Sequence, residues 1–375
     1  MNYSEDVIWY WFTNIPGVGR ITRNRLLERF GSPVQLYHAS EETINNIEFL
    51  HEKEKKNILS GRWDYVKQSY NRLTEKSIIF THMNSISYPE KLRDIPDYPH
   101  SLYMRGKHAE LAETIFSRPS VAVIGSRNCS KYGYETAYKL GYQLAANNIV
   151  VVSGMARGVD SAAQKGCVDA GGVSVAVLGC GVDICYPKEN INLFTNIQNK
   201  GIIISEYPIG TPPRSGLFPE RNRIISGLSD VIIVIEAGEK SGTFITVDMA
   251  LEQGKEVYAV PGRITDERSR GCNNLIKQGA MMFSDIDEVI EFLTGMYGVK
   301  FLKANNTESD DNDSLEEDEK RIYSVIDMLP KHIEDIAKES QTDIKTAMRI
   351  IGNLEYHNLI IHTDNNHYVR SNVSL

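Results

Sequence analysis

The chain has no histidine between Ala109 and Lys331; all nine lie outside that stretch. Imidazole is the side chain that changes charge near neutral pH, and it is a frequent metal ligand. Its absence from the centre of the chain counts against most hydrolase mechanisms there, and no metal site or catalytic residue is expected. Cysteine is scarce as well. Cys129, Cys167, Cys180, Cys185 and Cys272 show no Cys-x-x-Cys spacing, so they are expected as reduced thiols, not as a disulfide framework. No apolar run approaches the roughly 20 residues that span a bilayer. The start, Met1-Asn2-Tyr3-Ser4-Glu5-Asp6, is acidic and polar, unlike a signal peptide. A cytoplasmic protein without membrane association is the expectation. Net positive charge is lacking too: the chain carries −8. That argues mildly against indiscriminate binding to polyanions, yet it permits a local basic groove, because affinity depends on the charge near the phosphates. Much of the acidic excess lies in two runs, Glu308 to Asp313 and Glu316 to Glu319.

At 375 residues, 41% of them hydrophobic, the chain is long enough for several domains with a proper core. Residues 1–84 read as small helices. Ile15-Pro16-Gly17-Val18-Gly19 sits between two apolar segments, a helix-hairpin-helix (SAM-like) pattern whose glycine turn can offer N–H groups to a phosphate. Residues 85–300 form the main domain. It opens on a proline-rich connector (85–108), around Tyr88-Pro89 and Tyr98-Pro99, which excludes a helix. Short apolar runs follow at Val121–Ile124, Ile149–Val152, Val173–Leu178, Ile202–Ile204, Val231–Ile235 and Val257–Val260, mostly separated by helical patterns. Continuous apolar strands alternating with helices predict an α/β fold, an extended Rossmann-like parallel sheet covered on both faces. Its ligands are expected at the carboxyl ends of the strands. Residues 301–318 read as an acidic linker. Residues 319–375, three helical segments and a hairpin around Asp364-Asn365-Asn366, read as a winged helix.

The chemistry concentrates at strand ends. Phe218-Pro219-Glu220-Arg221-Asn222-Arg223 sets two guanidinium groups and an amide beside an aromatic ring. Arginine presents a permanently charged fork of donors suited to oxyanions. Charge along a backbone plus a stacking platform is what single-stranded nucleic acid requires. Gly125-Ser126-Arg127 ends the first apolar strand: glycine admits a ligand to the backbone, serine donates, arginine supplies charge. Ser153-Gly154-Met155-Ala156-Arg157 follows the second strand and aims Arg157 at the same edge. Ser241-Gly242-Thr243 opens a helix whose amides and dipole favour an anion. Each motif also has a plain structural reading, as a turn or a cap. Gly179-Cys180-Gly181 imitates a dinucleotide loop, but the third glycine is absent, so no cofactor is expected.

Together these motifs resemble the DprA/Smf family of DNA-processing proteins. The likeness runs from Tyr88-Pro89 to about Phe283 and includes Val260-Pro261-Gly262 and Gly271-Cys272-Asn273-Asn274. The resemblance implies a bacterial protein that binds single-stranded DNA, protects incoming strands in natural transformation, helps load RecA and acts as a homodimer. By motif position it implies phosphate binding at Arg127, base stacking at Phe218 and a basic partner near Arg214. In one departure, Ala163-Gln164 stands where the family usually reads Ala-His. The rival enzyme reading is a phosphoribohydrolase-like Rossmann protein, whose motif carries a catalytic glutamate. Thr246 occupies that place here and cannot act as a carboxylate base. A third reading, a transcriptional regulator, finds few cations on the last helix of the winged module, Lys345 and Arg349 beside Asp343 and Glu355. The sequence therefore points to a non-catalytic protein whose DNA site comprises Gly125, Ser126, Arg127, Gly154, Arg157, Arg214, Phe218, Arg221, Asn222, Arg223, Ser241, Gly242 and Thr243.

Overall fold

The computed structural model of the chain describes residues 4–60, 65–298, 317–326, 330–356, 359–363 and 366–370. They fall into two compact units, divided between residues 301 and 302.

The first unit opens with helices α1 (Glu5–Thr13), α2 (Arg20–Phe30), α3 (Pro33–His38), α4 (Glu41–Asn45), α5 (Glu52–Ser60) and α6 (Tyr65–Glu75). Between α1 and α2 the chain reverses through Gly17, whose φ of 78° is a conformation that glycine adopts without a Cβ penalty. Trp9, Trp11 and Phe12 of α1 are buried in a cluster that also contains Phe80, Tyr103 and Ile203 of the neighbouring sheet. The helices and the sheet therefore share a core.

Among the described residues that sheet has nine strands: β1 (Ile78–His82), β2 (Ser101–Arg105), β3 (Ser120–Gly125), β4 (Val150–Ser153), β5 (Ser174–Val177), β6 (Ile202–Ser205), β7 (Val231–Ile235), β8 (Glu256–Ala259) and β9 (Met281–Met282). Their order is β1-β2-β6-β5-β4-β3-β7-β8-β9. From β6 to β9 all neighbours are parallel. The alternation of side chains explains the unbroken apolar runs. Val231, Ile233 and Ile235 of β7 enter one core cluster, and Ile232 and Val234 enter the other. One face is covered by α8 (Lys131–Ala146), α9 (Val159–Asp169) and α14 (Ile286–Tyr297); the other is covered by α11 (Leu217–Leu228), α12 (Thr243–Glu252) and α13 (Arg270–Lys277). The short α7 (Ala112–Phe116) and α10 (Ile191–Lys200) complete the unit.

Three described strands of this sheet fall outside the expected runs: the short edge strand β9, and two that correct the domain reading. β1 lies in the stretch expected to be helical, and β2 lies in the expected connector. The prolines do exclude a helix, but Ser101–Arg105 beyond Pro99 is free to pair, antiparallel to both β1 and β6.

β3 is flanked by β4 on one side and β7 on the other: the chain runs from β3 through β4, β5 and β6 to one side, then crosses back from β6 to β7 on the other. At such a switch point the loops diverge and leave a crevice at the carboxyl ends of the strands.

The second unit contains α15 (Glu317–Val325), β10 (Lys331–His332), α16 (Ile333–Glu339), α17 (Ile344–Tyr356), β11 (Ile360–His362) and β12 (His367–Arg370). Its antiparallel sheet runs β10-β12-β11, the element order of a winged helix. Residues 301–316 of the expected linker lie outside the described residues, while Glu317 and Asp318 open α15. Asp364 and Asn365 of the expected hairpin turn also lie outside them. Ile322, Ile336, Ile350 and Leu354 give this unit its own core. A chain ending at Gly298 is therefore expected to unfold cooperatively at nearly the parent melting temperature. Loss of a cooperative transition in calorimetry would show instead that the first unit depends on the second.

Among the described residues no helix is long and apolar enough to cross a membrane.

Candidate functional site

The crevice at the switch point is a cleft of about 720 Å³. Its walls are the β3–α8 loop (Gly125, Ser126, Arg127, Asn128), the start of α11 (Phe218, Pro219, Arg221, Asn222) and the start of α12 (Ser241, Gly242, Thr243, Thr246), with Tyr186 at the rim. Two helix N-termini open on it, and each contributes a positive dipole end.

Arg127 is exposed, and its guanidinium lies 5.7 Å from the centroid of the Phe218 ring. Among the described residues no carboxylate forms an ion pair with it. Phe218 is half-buried and stacks on Tyr186, with centroids 5.3 Å apart and planes 22° apart. A Cβ on Gly179 would come within 2.8 Å of the Phe218 ring. The Gly179-Cys180-Gly181 loop thus makes room for an aromatic ring.

The β3–α8 loop is held from below. The Ser126 amide donates to the Glu236 carbonyl at 2.7 Å. The Glu236 carboxylate accepts from the Ser130 amide at 2.7 Å and from the Ser130 hydroxyl. Glu236 itself sits at a φ of 49°, strained for a residue with a side chain, and these contacts hold it there. The Ser126 hydroxyl accepts from the Asn128 amide at 3.2 Å. The Ser241 hydroxyl donates to Thr243 Oγ1 at 2.8 Å and accepts the Thr243 amide at 3.2 Å. Ser241 thus engages the first amide of α12 through its side chain, while the N-cap residue is Gly242.

Several expected residues turn out otherwise. Gly125 does line the cleft, but the reason for glycine is internal: a Cβ there would lie 1.8 Å from the Ile235 carbonyl of β7. Gly154 is buried and does not line the cleft; its missing Cβ is the space occupied by the Arg221 guanidinium, 1.9 Å away. Arg221 borders the cleft but is only 4% exposed. Its Nη1 donates to the Val177 carbonyl at 2.5 Å. Burial pushes its pKa down to about 10, opposed by the charge of Asp160. Asp160, also buried, accepts from the amides of Gly154 (3.1 Å) and Ala156 (3.4 Å). Burial raises its pKa and Arg221 opposes that rise. Arg221 thus lies under the cleft floor, where its charge adds positive field; one of its donors is spent on Val177, while its Nε is buried without a hydrogen-bond partner among the described residues.

Arg223 corrects the clamp expectation outright. At 3% exposure it faces away from the cleft. Nη2 meets Glu206 at 2.7 Å, Nε donates to the Asp97 carbonyl at 2.7 Å, and Nη1 donates to the Glu220 carbonyl at 2.9 Å. Burial works against its charge, but Glu206 and Asp97 more than offset this and raise its pKa. Its donors are spent on tying α11 to the segment before β2. Arg157 is exposed and paired with Glu189. Arg214 is exposed on the loop before α11. Neither lines the cleft. The structure thus brings Gly125, Ser126, Arg127, Phe218, Arg221, Asn222, Ser241, Gly242 and Thr243 into one cavity wall and leaves Gly154, Arg157, Arg214 and Arg223 outside it.

Sequence reasoning missed Tyr186, whose only signal was an aromatic residue in the loop after β5. It took Asp160 only as a candidate cap of the following helix and Glu236 only as part of a family motif, and foresaw neither as a support of the cleft loops. Gln164, at the position of the departure, is fully buried and donates to Ser174 Oγ at 3.0 Å. It belongs to the sheet core and is absent from the cleft. Of the residues lining the cleft, Asp160 carries the one carboxylate, and two backbone amides engage it.

The model of the family DNA recombination-mediator protein A matches residues 79–294. Protein Smf of Synechocystis is 33% identical over 296 residues, covering 78% of this chain and 74% of its own length. The X-ray structure of DNA processing protein A from Streptococcus pneumoniae superposes with a TM-score of 0.66 at 32% identity, over 78% of this chain and 98% of that one. DNA processing protein A from Helicobacter pylori, described for its single-stranded DNA binding mode, superposes with a TM-score of 0.52 at 30% identity, over 58% of this chain and 97% of that one. A match over more than half the chain shows that this chain belongs to the DNA recombination-mediator protein A family, the DprA/Smf DNA-processing proteins.

Proposed function

We propose that the cleft binds single-stranded DNA and that the protein acts, without catalysis, as a recombination mediator. The observation that carries this is the juxtaposition of the unpaired Arg127 cation with the Phe218–Tyr186 aromatic stack at the mouth of a cleft fed by two helix N-termini. A phosphate meets Arg127 and the amide-rich helix starts; a base stacks on the aromatic rim. Duplex DNA hides its base faces, so the aromatic rim gives the single strand its advantage. Thr246, buried at the cleft wall, supplies no carboxylate for glycosidic cleavage. The single-strand binding described for the Helicobacter pylori relative supports the same reading. Family membership extends it to protection of incoming strands in natural transformation, loading of RecA in the cytoplasm, and action as a homodimer.

The purified protein is expected to bind oligo(dT) more tightly than a duplex of equal length, with affinity falling as salt rises. Arg127→Ala is expected to weaken oligo(dT) binding and to lower the salt slope by about 0.7, the share of one phosphate contact on a single strand. Equal affinity for duplex, or an unchanged slope in the variant, would overturn the reading.

A further inference from the structure

A second cleft, of about 550 Å³, opens where α1 and α6 meet the loop that follows β6. Two chain segments wall both clefts. Asp183 lines the second and Tyr186 the first; Gly210 lines the second and Pro213 the first. Three residues of extended chain reach at most about 11 Å, so at two places the clefts come within that distance of each other.

The second cleft has an apolar floor and a cationic lip. Ile209 and Val66, both half-buried, supply the floor, with the core residue Trp11 behind them, its indole nitrogen buried without an acceptor among the described residues. Arg72 and Lys76 stand one turn apart on the lip, both exposed. Lys76 pairs with Asp183 at 3.4 Å, and among the described residues no ion pair holds Arg72.

We propose that a single strand leaving the first cleft crosses this shared ridge and continues into the second. There a base rests on the half-buried Ile209 and Val66, and the flanking phosphates meet Arg72 and Lys76. The inference rests on the single-strand reading of the first cleft and extends its footprint to the N-terminal helices. A strand confined to the first cleft never touches these residues, so their contribution depends on strand length.

The test is fluorescence anisotropy on the full chain, with labelled oligo(dT) of about 6 and about 20 nucleotides, lengths that bracket common single-strand site sizes. The double variant Arg72→Gln, Lys76→Gln is expected to lose about tenfold in affinity for the long strand, with a salt slope lower by about 1.4 for two contacts. It is expected to bind the short strand like the parent. Arg72→Gln alone, which leaves the Lys76–Asp183 pair intact, is expected to give about half that slope change. Arg127→Ala serves as the control and is expected to weaken both lengths. With that control positive, equal loss on both lengths, or no loss on either, overturns the second cleft alone. If Arg127→Ala leaves both lengths unaffected, the reading of the first cleft has failed.

Discussion

Arg221→Ala is expected to cost about 3–5 kcal/mol of stability, the usual penalty for leaving a buried charge uncompensated. In a unit of this size that is a fall in melting temperature on the order of 10 °C. The cause is Asp160. Its buried carboxylate would keep two backbone amides but lose the guanidinium that balances its charge. The space vacated beside Gly154 adds a packing loss. The sign of the pH dependence follows. Burial already holds the Asp160 pKa above its ordinary 3.8, and removing Arg221 raises it further. A group with a raised folded pKa contributes stability at low pH that is lost as pH rises through that pKa. The deficit of the variant is therefore largest at neutral pH and shrinks in acid. Arg221→Leu combined with Asp160→Asn removes both charges and keeps an acceptor for the amides, and it is expected to recover most of the loss. Thermal melts at two pH values decide the matter. A variant that melts with the parent at neutral pH would show that Arg221 is a free ligand of the cleft and not a structural charge.

The largest effect on binding is expected at Phe218. Stacking of a base on an aromatic side chain contributes about 1–3 kcal/mol, so Phe218→Ala is expected to weaken oligo(dT) binding by about 5- to 150-fold. The ring carries no charge, so the salt slope stays at the parent value, in contrast to Arg127→Ala. Phe218→Trp retains most of the affinity. The competing role is that of an anchor, since the ring also packs over Gly179 and against Tyr186. Deletion of a fully buried phenylalanine costs about 3–5 kcal/mol. Phe218 is only half-buried, so its alanine variant is expected to melt less far below the parent than a core deletion would. Melting temperature and affinity measured on the same protein separate the roles. A destabilised variant whose folded fraction binds normally would rule out stacking.

Much of the architecture was legible in the sequence because it depends on local pattern. The runs around Val121, Val151 and Val231 are apolar at every position, which suits a strand buried on both faces. The glycine- and arginine-bearing turns follow those runs directly, so their place at the carboxyl ends of the strands needed no tertiary information. The direction of a side chain is another matter. Arg221 and Arg223 read as a paired clamp, yet they point to different partners: Arg221 to the buried Val177 carbonyl, Arg223 to Asp97 and Glu206. Asp97 and Arg223 are 126 residues apart, and only the antiparallel insertion of β2 beside β6 brings that segment under α11. The glycines follow the same rule. Their positions marked turns, but what each one clears was set by the fold: the Ile235 carbonyl beside Gly125, the Arg221 guanidinium beside Gly154, the Phe218 ring beside Gly179. Tyr186 became part of the site because its loop folds against α11 and meets Phe218 face to face. Sequence alone determined the α/β class, the strand-end motifs and the family they resemble, because those depend on periodicity and on residue type at short spacing. Tertiary structure decided which cations reach solvent, because that depends on which distant carboxylates and carbonyls the fold delivers to each one.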